Sequence, residues 1–155
     1  MGKRMGAVLG LAAVLLLSAC GQRDWGVDQH GRPLAEQLQG KWLVINYWAE
    51  WCGPCRREIP QLNALDEQLR ADGVRVVGVN FDGLQGAELA RVSEAMGIRF
   101  SVLATDPASR LKLPTSAALP VTYIVDAEGR VRERLVGEQT AAGLDSRLKA
   151  LRGGS

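Results

Sequence analysis

The stretch "WLVINYW", residues 42–48, runs into "AEWCGPC", residues 49–55. Seven residues, six of them apolar or aromatic and only Asn46 polar, suit a strand buried on both faces of a sheet. Past Pro54 the apolar side chains return as Ile59, Leu62, Leu65 and Leu69, the stripe of an amphipathic helix, and Gly73 closes it. A strand buried on both sides needs covering layers above and below, so the chain is held to an α/β architecture. Two of its three cysteines, Cys52 and Cys55, fall where that strand ends and that helix begins.

The rest of the chain agrees. "VRVVGVNF" reads as a second strand, "LQGAELARVSEAMG" as a second helix ended by Gly97, and "FSVLATD" as a short strand. "VTYIVD", "AEG" and "RVRERLVGE" give strand, turn and strand. From Thr140, a suitable cap, Leu144, Leu148 and Leu151 share one face of a last helix. "GRPLAEQLQGK" supplies a turn and one helical turn. The order predicts a mixed central sheet flanked by helices.

A helix start carries unpaired N–H groups and about half a positive charge, which favours an anion. A thiol there ionises more readily, and the thiolate is the attacking species. Cys52 occupies that start. Cys55, three residues on, lies on the same side one turn in. Cys52 can attack a target disulfide, and Cys55 can then attack Cys52 and release the target. Gly53 permits close backbone approach, and Pro54 loses nothing in a first turn. A structural staple would close too short a loop to remove much chain entropy. A zinc site wants about four ligands, and only His30 offers an obvious third; no metal or cofactor is implied. A haem attachment site needs His where Arg56 stands. Exchange between thiols and disulfides uses every residue of the motif.

The N-terminal segment is of another kind. Lys3 and Arg4 precede "MGAVLGLAAVLLL", residues 5–17, which holds no charge. The run falls short of the roughly 20 apolar residues that span a bilayer, and reads as a signal peptide over residues 1–19. "LSAC" resembles the bacterial lipoprotein box, which implies lipidation of Cys20 and a protein anchored to the membrane rather than spanning it. Residues 20–27 would form a polar tether, holding any target close to the bilayer, and 28–155 the folded domain. Gly21 in place of Asp leans toward the outer membrane. Without Lys3 and Arg4 the 17 basic residues balance the 17 acidic ones. No basic block is interleaved with aromatics, so nucleic acid is not an expected partner.

"NYWAEWCGPCRREIPQL" with "LPVTYIVDAEGRV" further on resembles the thioredoxin superfamily, and more narrowly the TlpA/ResA/DsbE-like family of membrane-tethered bacterial thiol-disulfide proteins. The resemblance runs from about Gly31 to the end. It implies a thioredoxin-like sheet with a central insertion, for which residues 84–113 are long enough. It implies a cis-proline at Pro120, with the Leu119 backbone offered to an incoming peptide as an added strand. Thioredoxin itself carries an Asp where this chain has Asn46, so another group, or water, must manage the proton of Cys55. Glu58, three residues after Cys55 and beside the buried Ile59, is the candidate: partial desolvation would raise its pKa. The alternative is a surface Glu paired with Arg56 or Arg57. Trp51 is expected to shield the pair and touch substrate, and Trp48 to lie in the core.

These features describe an envelope protein facing the periplasm that reduces protein disulfides with electrons from a membrane donor of unknown identity, and the family resemblance implies apocytochrome c or another periplasmic protein disulfide as the substrate. An oxidant or isomerase, a peroxiredoxin-like peroxidase and a non-catalytic binding lipoprotein are the alternatives.

Overall fold

Trp42–Trp48 forms β1, the middle strand of a five-stranded sheet. In the computed structural model, which describes residues 23–114 and 116–153, the strand order is β3-β2-β1-β4-β5. β2 (Val74–Asn80) pairs with β1 in parallel, Trp42 opposite Val74 and Trp48 opposite Asn80. β3 (Ser101–Leu103) continues the parallel half. β4 (Val121–Val125) runs antiparallel to β1, Tyr47 opposite Val121, and β5 (Val131–Val136) closes the edge as a hairpin. The last strand alternates half-buried and exposed residues, as an edge strand with one solvated face does.

One face of the sheet is covered by α2 (Gly53–Leu69), α3 (Gly86–Ala95) and α5 (Ala141–Gly153), which bury Ile59, Leu62, Leu89, Val92, Leu144 and Leu148 among others. The other face is covered by the N-terminal segment with α1 (Ala35–Leu38) and by α4 (Ala108–Leu111), around Trp25, Leu34, Leu38 and Leu111. α2 is pinned to β2 by the buried Asp66, which accepts hydrogen bonds from the Val76 N–H at 2.8 Å and the Arg75 Nε at 3.0 Å. The helix start that carries the cysteines is therefore fixed against the sheet. A short 3₁₀ turn, Arg70–Asp72, extends α2, and Gly73 ends it at φ 77°, a conformation that favours glycine. Thr140 Oγ1 accepts from the Gly143 N–H at 3.1 Å, capping α5.

Two features differ from the sequence expectation. The stretch 84–113 holds α4 besides α3 and β3; with four residues and no polar N-cap side-chain bond, it has no local signal to read. Of the tether assigned to 20–27, the described residues 23–27 pack on the domain: Trp25 is buried, and the Arg23 N–H donates to Gln39 Oε1 at 3.2 Å. A polar stretch with one Trp gave no periodicity from which that packing could be read. The signal segment 1–19 and the lipidation site Cys20 lie outside the described residues. Among the described residues no helix is long and apolar enough to cross a membrane.

Gly78 shows how closely the sheet is packed beside the site. A Cβ there would lie 2.9 Å from Trp48 Nε1, 3.1 Å from Phe100 and 3.2 Å from Val102, all in the core. Gly78→Ala is expected to cost roughly 1–3 kcal/mol of stability through overpacking. Urea unfolding of the oxidised protein measures it; a variant as stable as the parent would show that the Trp48 ring can move aside.

Candidate active site

Cys52 is the N-cap of α2, in extended conformation at φ −84° and ψ 103°, and its Sγ accepts the Cys55 N–H at 3.2 Å. The Cys55 N–H in the first turn of the helix thus points at this sulfur, where negative charge would develop on reduction. Cys52 and Cys55 form a disulfide, with Cα atoms 5.3 Å apart. Cys52 is 4% exposed and Cys55 fully buried, so the first sulfur is the one on the solvent side of the pair. Pro54 stands in the first turn, where no partner for its nitrogen is needed.

Glu58 is fully buried one turn below the pair on α2. Its Oε1 accepts from Asn46 Nδ2 at 2.7 Å and its Oε2 from the Gln139 N–H at 2.9 Å. Arg57 pairs instead with Glu138 at 2.9 Å, and Arg56 bonds the Glu50 carbonyl, so neither cation neutralises Glu58. Burial pushes the carboxyl up to about 7, against the lowering effect of the Gln139 and Asn46 hydrogen bonds. Asn46 Nδ2 also donates to Thr122 Oγ1 at 3.1 Å across the β1–β4 pair. A polar line of Glu58, Asn46 and Thr122 therefore runs through the sheet beneath the sulfurs.

The Leu119–Pro120 peptide is cis and stands at the cysteine end of the sheet, directly before β4. Leu119 is half-buried, and the Pro120 carbonyl accepts the Gly137 N–H at 2.8 Å. Trp48 is fully buried, whereas Trp51 is 66% exposed. Trp51 meets the edge of Phe81 at 6.3 Å between ring centroids and donates from Nε1 to the Asp82 carboxylate at 3.0 Å. The indole is thus held by Phe81 and Asp82 at the surface rather than by a packed core. A cavity of about 170 Å³ opens at the same end, walled by Tyr47, Phe81, Asp106, Val121 and Tyr123. The Tyr47 hydroxyl donates to Asp106 there, and the Tyr123 hydroxyl to the Pro114 carbonyl. Among the described residues no group of three or more His, Cys, Asp or Glu side chains is placed to hold a metal ion.

The sequence pattern of the AhpC/TSA family matches residues 24–134, which include both cysteines and the cis-proline. The chain belongs to the AhpC/TSA family. Within it, the thiol-disulfide oxidoreductase ResA of Bacillus anthracis is 29% identical over 125 residues, covering 80% of this chain and 72% of ResA. The thiol:disulfide interchange protein HelX of Rhodobacter capsulatus is 32% identical over 122 residues, covering 78% of this chain and 66% of HelX. Among solved structures, a thioredoxin-family thiol:disulfide interchange protein of Chlorobium tepidum superposes with TM-score 0.67 at 27% identity, covering 81% of this chain and 90% of that one. A DsbF homologue of Corynebacterium diphtheriae gives TM-score 0.67 at 25% identity, covering 81% and 82%. The expected thioredoxin-like fold is the one found. With its two sulfurs bonded at a helix start, this AhpC/TSA-family chain is a redox enzyme of the thiol-disulfide oxidoreductase type.

Sequence reading missed four members of this site. Thr122 reaches Asn46 only because β4 pairs with β1 in that register, a long-range fact. Gln139 contributes a backbone N–H, which leaves no mark on residue type. Phe81 and Asp82, which hold Trp51, follow β2 directly, and the end of a parallel strand beside the thiol pair was the available signal.

Proposed function

We propose that this protein is a membrane-tethered, periplasm-facing reductant of protein disulfides. The carrying observation is the Cys55 N–H donated to Cys52 Sγ at the start of α2, which favours the thiolate over the thiol at Cys52. In the reduced protein the Cys52 thiolate attacks one sulfur of a substrate disulfide. The substrate's other sulfur leaves as thiolate and takes a proton. Cys55 then gives its proton to the Glu58 carboxylate and attacks Cys52 Sγ, so the substrate departs with both sulfurs reduced. The protein is left as the Cys52–Cys55 disulfide, having passed on two electrons, and a membrane thiol donor restores them. Pro120 and Leu119 present the backbone on which a substrate segment pairs, and Trp51 covers the mixed disulfide.

The apolar segment 5–17 and the "LSAC" box support the reading that Cys20 is lipidated in the cell envelope, with Gly21 leaning toward the outer membrane. Resemblance to the TlpA/ResA/DsbE-like proteins supports apocytochrome c as a substrate. A buried resolving thiol at bonding distance favours two-thiol exchange over a one-cysteine peroxidase. The test is the midpoint potential of the Cys52–Cys55 couple, measured against glutathione or dithiothreitol. A value near thioredoxin's, roughly −270 mV, is expected; one near roughly −120 mV would make the protein an oxidant. Stoichiometric peroxide consumption by the reduced protein would reassign it to the peroxidases.

A further inference from the structure

Three consecutive residues after β5 meet the cis-proline, the helix that carries the sulfurs and the buried carboxylate. The Gly137 N–H donates to the Pro120 carbonyl at 2.8 Å. One oxygen of Glu138 accepts from Arg57 Nη2 at 2.9 Å and from Nε at 3.0 Å. The Gln139 N–H donates to Glu58 Oε2 at 2.9 Å. The chain then enters α5, whose Ala141 N–H bonds Gln61 Oε1 on α2 at 3.1 Å. Arg57 itself reaches the helix start: a Cβ on Gly53, the residue after Cys52, would lie 3.9 Å from its Nη1. Arg57 precedes Glu58 on the helix, and Glu138 precedes the residue whose N–H holds Glu58 in place.

Few other charges act on Glu58. β1 faces it with Asn46, which in turn bonds Thr122 of β4, and both are neutral. On α5, Asp145 pairs with Lys149 and Arg147 with Glu133. On α2, Cys55 lies one turn above and is bonded to Cys52 in the oxidised protein, while Arg56 is turned to the Glu50 carbonyl. Arg57 and Glu138 are left. Burial raises the Glu58 carboxyl, the Gln139 and Asn46 hydrogen bonds hold it back, and the charge of Glu138 raises it further. The side chains of Arg57 and Glu138 are 63% and 40% exposed, so their ion pair adds little to stability. What it does is electrostatic: the Glu138 carboxylate keeps the guanidinium off Glu58, and the guanidinium offsets the repulsion between the two carboxylates.

Resting on the reading that Glu58 takes the Cys55 proton, we propose that Arg57 and Glu138 are positioning residues for the exchange: acting through Glu58, their opposed charges fix the pH at which Cys55 can give up its proton. Glu138 moves that pH up and Arg57 moves it down. The backbone of 137–139 holds the pair, the Glu58 carboxylate and Pro120 in one arrangement.

Isotope-labelled glutamate carboxyls are followed by NMR across pH in the oxidised protein, where neither thiol titrates, and Glu58→Gln identifies the resonance. Glu138→Gln is expected to lower the Glu58 midpoint and Arg57→Gln to raise it, each by roughly half a pH unit, the size of an exposed charge's effect. The double variant falls between them. Both single variants break the same ion pair, so a mere loosening of the segment would move them the same way. Shifts of one sign, or no shift in either variant, overturn the proposal. The exchange is then timed with dithiobis(nitrobenzoate), which releases one coloured thiolate when Cys52 attacks and a second when Cys55 resolves the mixed disulfide. On the acid side of the midpoint the second phase is expected to be about threefold faster in Glu138→Gln and about threefold slower in Arg57→Gln. Cys52 is by then bonded to the reagent and has no thiolate for Arg57 to stabilise. A second phase that keeps its pH limb while the Glu58 midpoint moves overturns the proton route through Glu58, and this proposal with it. A midpoint that does not move overturns the proposal alone.

Discussion

Cys52→Ser loses disulfide reduction by about a thousandfold or more, while Cys55→Ser stops after one attack and accumulates protein-bound substrate. The asymmetry follows from the helix start. The sulfur of Cys52 receives the Cys55 N–H and belongs to the more exposed cysteine of the two, so its removal leaves no ionised nucleophile. A serine hydroxyl in the same place stays protonated at neutral pH and cannot form the mixed disulfide. Removal of Cys55 spares the nucleophile and deletes the group that resolves the intermediate. Both variants should stay folded: a loop of so few residues contributes roughly 2 kcal/mol of cross-link stabilisation at most, and the core around Ile59, Leu62 and Trp48 does not depend on it. Insulin reduction with dithiothreitol gives the rates, and non-reducing electrophoresis with mass spectrometry gives the trapped complex. Trapping through Cys55 in a Cys52→Ser background, at the rate seen for Cys52 in Cys55→Ser, would reverse the assignment.

The parts of the fold that were legible in the sequence are those set by local pattern. β1 is an apolar run with one polar residue, and α2 repeats its leucines with helical spacing and ends at Gly73, so both have the bounds that periodicity and punctuation predict. The cysteine pair was legible because its chemistry and its place at a strand–helix junction are encoded within four residues. Glu58 was half legible. Its spacing put it on the right face, but whether it is buried or paired with Arg57 depends on Glu138, which draws Arg57 away from it, and on Gln139, which supplies an N–H from 81 residues along the chain. The packing of Trp25 was not legible at all, because one aromatic in a polar stretch fits a tether as well as a docked segment. What escaped, then, was contact between distant segments, where residue type alone does not say which partner wins.

Glu58→Gln should flatten the dependence of stability on pH between about 4.5 and 7. Burial pushes the Glu58 carboxyl up to about 7, above its ordinary value of 4.5. The folded protein therefore binds more protons than the unfolded chain between those values, and stability falls as pH rises through them. The loss begins near pH 4.5, is complete just above pH 7, and amounts to roughly 3 kcal/mol at ~1.4 kcal/mol per pH unit. A neutral glutamine resembles the protonated acid, so the variant should match the parent near pH 5 and exceed it by up to about 3 kcal/mol near pH 8. Urea unfolding of the oxidised form is the measurement, because with Cys52 and Cys55 bonded neither thiol titrates. The same variant in the reduced form should lose the rate limb near neutral pH, since no carboxylate then takes the Cys55 proton. Parallel stability curves for parent and variant from pH 5 to 8 would mean that Glu58 is already ionised at pH 5, and its part in the exchange would go with them.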